Sequence, residues 1–296
     1  MRAAAPVRAL ATIPPDLSIT PMKREEADIL AVWAADEGWN PGKSDIGVAW
    51  DTDPEGFIAL RIGSDLVGGG TIMSYDGRFG FMGLFIVRRD QRGRGFGAHL
   101  WRYRLTRLQG RLAPGAPIGM DGVLAMKPFY ERGGFVFAHN DMRYQGIASG
   151  TMDPAVRPID SSMFAMVENF DRSHVPAPRA PFLRRWIFQR GANALGLHQN
   201  GQMVGYGVAR PALTGYKFGP VFAKRADIAE RLILSLMACI PGEQVQLDVP
   251  EPNQSASRLA EKFGLKAVFG CARLYHGQTP DLPIGNIFGV TSFEFG

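Results

Sequence analysis

Cysteine and histidine are scarce in this chain of 296 residues: Cys239 and Cys271 are the only thiols, and His99, His139, His174, His198 and His276 stand apart from one another. Two cysteines make no disulfide framework, and no pair of these residues has the spacing of metal ligands, so a reducing compartment and no metal are expected. Long apolar runs are missing as well. Although 46% of the residues are apolar, no uninterrupted stretch approaches the roughly 18 residues of a membrane span, which predicts a soluble, cytoplasmic protein without membrane contacts. A net charge of +5 raises the question of nucleic acid, but no zinc-finger, aromatic RNA-binding or basic-helix pattern accompanies it, and no nucleic-acid partner is expected. The opening MRAAAPVRALATIPP is too broken by proline for a secretory signal, and residues 1–16 read as a flexible leader.

What is present begins with FGFMGLFIVRRDQRGRGFG, Phe79 to Gly97. Phe81 to Val87 reads as a buried strand. Ala98 to Leu108 reads as a helix with Leu100, Tyr103, Leu105 and Leu108 toward a core. Gly93, Gly95 and Gly97 between them allow backbone N–H groups to close around an anion at the helix N-terminus, where the helix dipole favours negative charge. Two familiar phosphate loops do not fit. A P-loop needs Lys-Ser/Thr after its last glycine, and Gly97 is followed by Ala98 and His99. A dinucleotide fingerprint wants an acidic residue about 20 positions on, where this chain is arginine-rich.

Arg92-Gly93-Arg94-Gly95-Phe96-Gly97 does fit Q/R-x-x-G-x-G/A, and this strand, loop and helix resemble the acyl-CoA pyrophosphate site of the GNAT superfamily of N-acyltransferases. A second stretch, PIGMDGVLAMKPFYERGGF from Pro117 to Phe135, resembles the other GNAT signature, a strand followed by a helix ending in Y-E-x-x-GF. The chain then repeats its own order. Leu66 to Gly70 is echoed by Met203 to Gly207 after the Asn200-Gly201 turn, Gly83 to Val87 by Gly219 to Ala223, Gly119 to Asp121 by Gln246 to Asp248, and Tyr130 to Phe135 by Ala260 to Leu265. An offset of about one domain argues for two copies of one fold. The second copy has no glycine loop after Ala223 and has Ala260 in place of Tyr130, so it is read as a diverged half that does not bind acyl-CoA in the usual way.

The arrangement resembles tandem GNAT proteins whose second domain is of the YitH type. The expected fold is therefore α/β (α+β): two tandem GNAT-like domains, each a mixed, mostly antiparallel twisted sheet flanked by helices. The expected boundaries are a catalytic domain over 17–147, a linker over 148–158 and the diverged domain over 159–296.

The resemblance implies acetyl-CoA as co-substrate and acetyl transfer to a primary amine by direct attack. Backbone groups of Phe85, Ile86 and Val87 would pair with the pantetheine arm, and Arg92 to Gly97 would hold the pyrophosphate. Arginines 88, 89, 92, 94, 102, 104 and 107 crowd this region, and a polyanionic co-substrate accounts for such an excess. Tyr130 matches the tyrosine that protonates the departing thiolate. The strand lacks the glutamate many GNAT enzymes use as a base, which leaves Asp121 as the candidate base, with cation binding or turn capping as its other readings. Neither cysteine lies in the first half, so no acyl-cysteine is expected.

Around EGWNPG, the residues Glu37, Trp39 and Asn40 suit a protonated amine by charge and cation–π contact, or equally an ordinary helix end. Asp248 would join them if the second half covers the cleft. A small-molecule amine is the expected acceptor, and a homodimer is compatible with the sequence. The alternatives are a non-catalytic acyl-CoA-binding regulator and a protein-lysine or N-terminal acetyltransferase.

Overall fold

A computed structural model describes residues 14–296, so the expected leader lies outside the described residues except for its last three positions. The first half runs β1 (Leu17–Pro21), α1 (Arg24–Asp36), α2 (Asp45–Thr52), β2 (Phe57–Ile62), β3 (Asp65–Tyr75), β4 (Phe79–Val87), α3 (Phe96–Gln109), β5 (Ile118–Val123), α4 (Lys127–Arg132) and β6 (Val136–Ile147). The second half repeats that order as β7 (Val156–Pro158), α5 (Phe164–Asp171), α6 (Ala180–Ile187), β8 (Asn193–Gln199), β9 (Gln202–Pro211), β10 (Tyr216–Ala223), α7 (Ala226–Ala238), β11 (Gln244–Pro250), α8 (Gln254–Lys262) and β12 (Lys266–His276). A last short strand, β13 (Ile287–Gly289), has no counterpart in the first half.

Local chemistry sets these elements. The β3–β4 and β8–β9 hairpins turn at Asp76-Gly77 and Asn200-Gly201, where both residues of each pair have positive φ, the twist that matches two antiparallel strands. Helix α1 starts where the Glu26 carboxylate accepts the Lys23 N–H at 2.8 Å. Its core face is Ala27, Leu30 and Ala34. Ile29 and Val32 are exposed. The expected linker 148–158 is shortened by its own last residues: Val156–Pro158 pairs with β8 as the edge of the sheet.

The strands form one 13-stranded sheet in the order β1-β2-β3-β4-β5-β12-β6-β11-β10-β9-β8-β7, with β13 on β10. The halves exchange strands. Second-half β12 lies between β5 and β6, and β6 pairs with β11, so neither half has a complete sheet without the other. All neighbours are antiparallel except β4–β5 and β10–β11. On one face α3 covers the first half and α7 with α8 the second, each over its own apolar cluster. A continuous core joins α1 and α2 to α5 and α6 on the other face. A buried Asp45–Arg210 pair at 2.9 Å and the Asn40 side chain, bonded to Thr214 and Gln246, tie the α1–α2 connection to the second half.

Candidate active site

β4 and β5 are paired only at Gly80–Ile118 and Phe81–Gly119, then separate. The separation has a local cause. Between the pairs Gly69–Ile86 and Thr71–Gly83 the β3–β4 register slips, and Leu84 takes φ 48°, so β4 bulges away from β5. Arg104 of α3, fully buried, donates to the Thr71 and Gly83 carbonyls at 2.5 and 2.6 Å, one on each strand of the pair that borders the slip. A Cβ on Gly70 would lie 2.6 Å from its guanidinium carbon. Burial pushes Arg104 down to about 9, so it stays a cation at neutral pH, with carbonyls as its partners. It is therefore a strand clamp and not one of the phosphate-facing arginines the sequence suggested.

The separated strands enclose a cleft of about 410 Å³, within the usual range for small-ligand sites. One end meets the loop before α3. Gly93 and Gly95 have φ of 77° and 84°, and the N–H groups of residues 93–95 have no protein acceptor among the described residues. They stand at the positive end of α3, an arrangement that accepts phosphate. A Cβ on Gly95 would meet nothing within 4 Å, so glycine is required there by backbone conformation and not by crowding. Arg92 donates to the Val87 carbonyl at 2.8 Å and to Glu37 at 2.8 Å, and remains half exposed. Arg94 bonds Gln91 and covers the Phe96 ring. Arg88 is taken up by Asp65 and Asp90.

Phe85, Ile86, Val87, Arg92, Gly93, Phe96, Gly97, Glu37, Trp39, Asp121 and Tyr130 all line the cleft. Arg94, Gly95, Asn40 and Asp248 do not. Arg94 and Gly95 stay in the loop, whereas Asn40 bonds Thr214 and Gln246 across the halves and Asp248 is buried with both oxygens accepting from Arg143 at 2.6 and 2.7 Å. Asp121, the candidate base, is held in an ion pair. Its side chain has 0% exposure, both its oxygens accept from Arg273 at 2.6 Å, and burial pushes its carboxyl well above the usual range. What it shows the cleft is backbone.

Tyr130 is packed against Trp101, with ring centroids 5.1 Å apart, and its ring lies where a Cβ on Gly122 would go. No protein group bonds its hydroxyl among the described residues. Burial pushes the phenol up, so it is protonated and able to donate at any ordinary pH. Glu37 is bonded to Arg92 and Arg89, which hold its carboxyl below the usual range.

Two family models match the chain. That of the acetyltransferase (GNAT) family covers residues 24–135, and that of an acetyltransferase (GNAT) domain covers residues 167–289. The chain is a tandem GNAT protein. It is 26% identical over 279 residues to a holothin acyltransferase of Pseudoalteromonas sp. (strain SANK 73390), spanning 93% of each chain. It is 22% identical over 227 residues to YitH of Bacillus subtilis (strain 168), an uncharacterized N-acetyltransferase, spanning 74% of this chain and 78% of that one. The crystal structure of a candidate acetyltransferase from Pyrococcus horikoshii has a TM-score of 0.81 at 19% identity, over 95% of this chain and 96% of that chain, a likeness of fold. Family and relatives alike support acyl transfer as the activity.

In this tandem GNAT protein the far end of the cleft is built by the second half. Phe269 and Cys271 arrive on β12, and Phe293 and Glu294 on the segment after β13. Arg143 of β6 lies over the Phe269 and Phe293 rings, 5.7 and 4.9 Å from their centroids, and donates to the Trp39 carbonyl. Burial would raise the Glu294 carboxyl, but Lys217 and Arg143 hold it down to about 2. Lys217 itself is pushed down by burial and by Arg143. Cys271 enters the first half's cleft although it lies in the second half of the sequence. Its thiol is pushed well up by burial and stays protonated. These residues escaped sequence reasoning because strand exchange leaves no local signal. The duplicated pattern was the one available hint, since it predicts a second-half strand equivalent to β6.

Proposed function

We propose that this protein is an N-acyltransferase that moves an acetyl group from acetyl-CoA to a primary amine of a small molecule, using the cleft between β4 and β5. One observation carries the reading: two neighbouring strands part and lead directly to three unpartnered amides at a helix N-terminus. The unpartnered edge of β4 at Phe85, Ile86 and Val87 offers ladder positions to an amide-bearing arm, and the loop from Arg92 to Gly97 offers donors to a pyrophosphate. Bound acetyl-CoA would supply the thioester.

The chain's own groups would then act in sequence. Backbone N–H groups of β4 stabilise the negative charge that builds on the carbonyl oxygen as the amine attacks. A C–N bond forms, the C–S bond breaks and the amine proton leaves to water. Tyr130 gives its proton to the departing sulfur and recovers one from solvent. The second half closes the far end of the cleft, which favours a small acceptor over a peptide. Calorimetric titration of acetyl-CoA into wild type and Gly95→Glu, followed by a CoA-release assay over a panel of amines, tests the reading. Binding to wild type that is lost in Gly95→Glu, with CoA release on some amine, is expected. Failure of wild type to bind acetyl-CoA overturns it.

A further inference from the structure

Among the described residues, no carboxylate at the acceptor end is left without a cation. Glu37 faces both Arg89 and Arg92. Glu294 contacts Lys217 at 3.4 Å and accepts from Ser292 at 2.8 Å. Asp121 and Asp248 are forked by Arg273 and Arg143. The two charged side chains that line the cleft without being carboxylates, Arg92 and Arg143, are both cations. An ammonium entering here would have to break an existing ion pair and sit beside like charge, which costs free energy.

Nor, among the described residues that line the cleft, is there a carboxylate free of a cation, or a histidine, to remove its proton. β4 reads FGFMGLFIV without an acid or a histidine, and the Asp121 carboxyl is out of reach. An alkylamine resembling a lysine side chain is roughly 0.04% neutral at pH 7, so a cleft without a base would leave it idle. The walls are of another character. Phe269 and Phe293 lie against the Arg143 guanidinium, which donates to the Trp39 carbonyl, and all three aromatic residues line the cleft; Phe269 is only partly buried, and such flat faces suit a ring.

We infer that the acceptor is an amine conjugated to a flat ring, whose lone pair is free at neutral pH, and that the second half recognises that ring through Phe269 and Phe293. The inference rests on the proposed acyl transfer. The amine arrives already neutral, attacks without a protein base, and releases its proton to water once the C–N bond has formed. The missing strand glutamate is then a consequence of the acceptor's low basicity.

The test uses the full chain, with acetyl-CoA binding measured first by calorimetry. CoA release is then followed with aniline and an aminothiazole against benzylamine and spermidine. The expected kcat/KM is about 100-fold or more higher for the ring-conjugated amines, and flat between about pH 6.5 and 8.5 because no titrating base is involved. Phe269→Ala, at a partly buried position, is expected to raise the KM for those amines about tenfold, with acetyl-CoA affinity unchanged. Preference for benzylamine or spermidine, transfer to none of the four, or an unchanged KM in Phe269→Ala overturns the inference while leaving acyl-CoA binding intact. Failure to bind acetyl-CoA overturns the underlying reading of the cleft instead.

Discussion

Two parallel strand pairs, one in each half, begin alike and end differently. β4 and β5 part after Phe81 and Gly119, and β10 and β11 part after Phe218 and Leu247. Each parting is followed along the strand by a register slip against the neighbouring hairpin strand, at Leu84-Phe85 in one case and Gly219-Pro220 in the other. In the first half the gap stays open and leads to glycine-bounded amides. In the second half β13 fills it, pairing with β10 at Val221 and Phe222, and the following turn carries Lys224 and Arg225 in place of glycine. One half leaves the gap open beside a glycine-bounded loop, while the other closes it with its own chain.

The sharpest way to break this asymmetry is to place the same charge at both loops. Gly95→Glu puts a carboxylate at the N-terminus of α3 and a side chain at φ 84°, and is expected to weaken acetyl-CoA binding by roughly 100-fold or more, about 3 kcal/mol. Arg225→Glu, at the start of α7 on an exposed pair with Asp227, is expected to leave binding unchanged. Calorimetry of the two variants checks the pair, and equal losses would show that the second half also carries acyl-CoA.

Tyr130 and its counterpart Ala260 differ in the same direction. Tyr130→Phe removes a hydroxyl without a protein partner, so stability and acetyl-CoA affinity are expected to hold while kcat falls about 100-fold. Unchanged turnover, measured by CoA release, would take Tyr130 out of the mechanism.

The duplication was legible because glycines, hairpin turns and strand-ending residues are local signals, and they recur in order at Leu66, Gly83, Gly119 and Tyr130 and again at Met203, Gly219, Gln246 and Ala260. The loop at Arg92 to Gly97 was legible for the same reason. Asp121 misled because a carboxylate at a strand end looks free until its cross-strand partner, Arg273, is known. That partner is 152 residues away. Arg104 misled in the opposite way, since an arginine in a helix stripe reads as surface charge, yet here its donors meet carbonyls that the bulge leaves available. Phe269, Cys271, Phe293 and Glu294 reach the cleft only through exchanged strands and a returning tail.

That tail offers a smaller and more symmetrical test. After β13 it passes over Gly219, where a Cβ would lie 2.3 Å from the Val290 carbonyl oxygen, and then over Gly83, where a Cβ would collide with that of Glu294. Both glycines are needed because backbone cannot yield as a side chain does. Gly83→Ala and Gly219→Ala are each expected to destabilise by about 1–3 kcal/mol, read as a lower midpoint in urea. Gly83→Ala alone is expected to lower acyl transfer as well, because it displaces the segment that carries Phe293 and Glu294 into the open cleft. Equal effects on activity would mean that the tail acts only as a strut.

The smallest expected effect lies on the acid side. Glu294 is held down to about 2 from an ordinary 4.5 by Lys217 and Arg143, against a burial that would raise it. A carboxylate depressed by folding binds its proton more readily in the unfolded chain, so its contribution to stability is complete above pH 4.5 and drains away as pH falls toward 2. By about pH 3.5 the loss is on the order of 1 kcal/mol. Glu294→Gln has no such proton to bind. It is expected to be less stable at pH 7, since Lys217 is left buried without its partner, but to lose less on acidification. Urea midpoints from pH 7 to 3 should therefore converge for the two proteins. Parallel curves would mean that Glu294 is not held as a carboxylate, and that Lys217 and Arg143 from the two halves do not meet their charge in the tail that joins them.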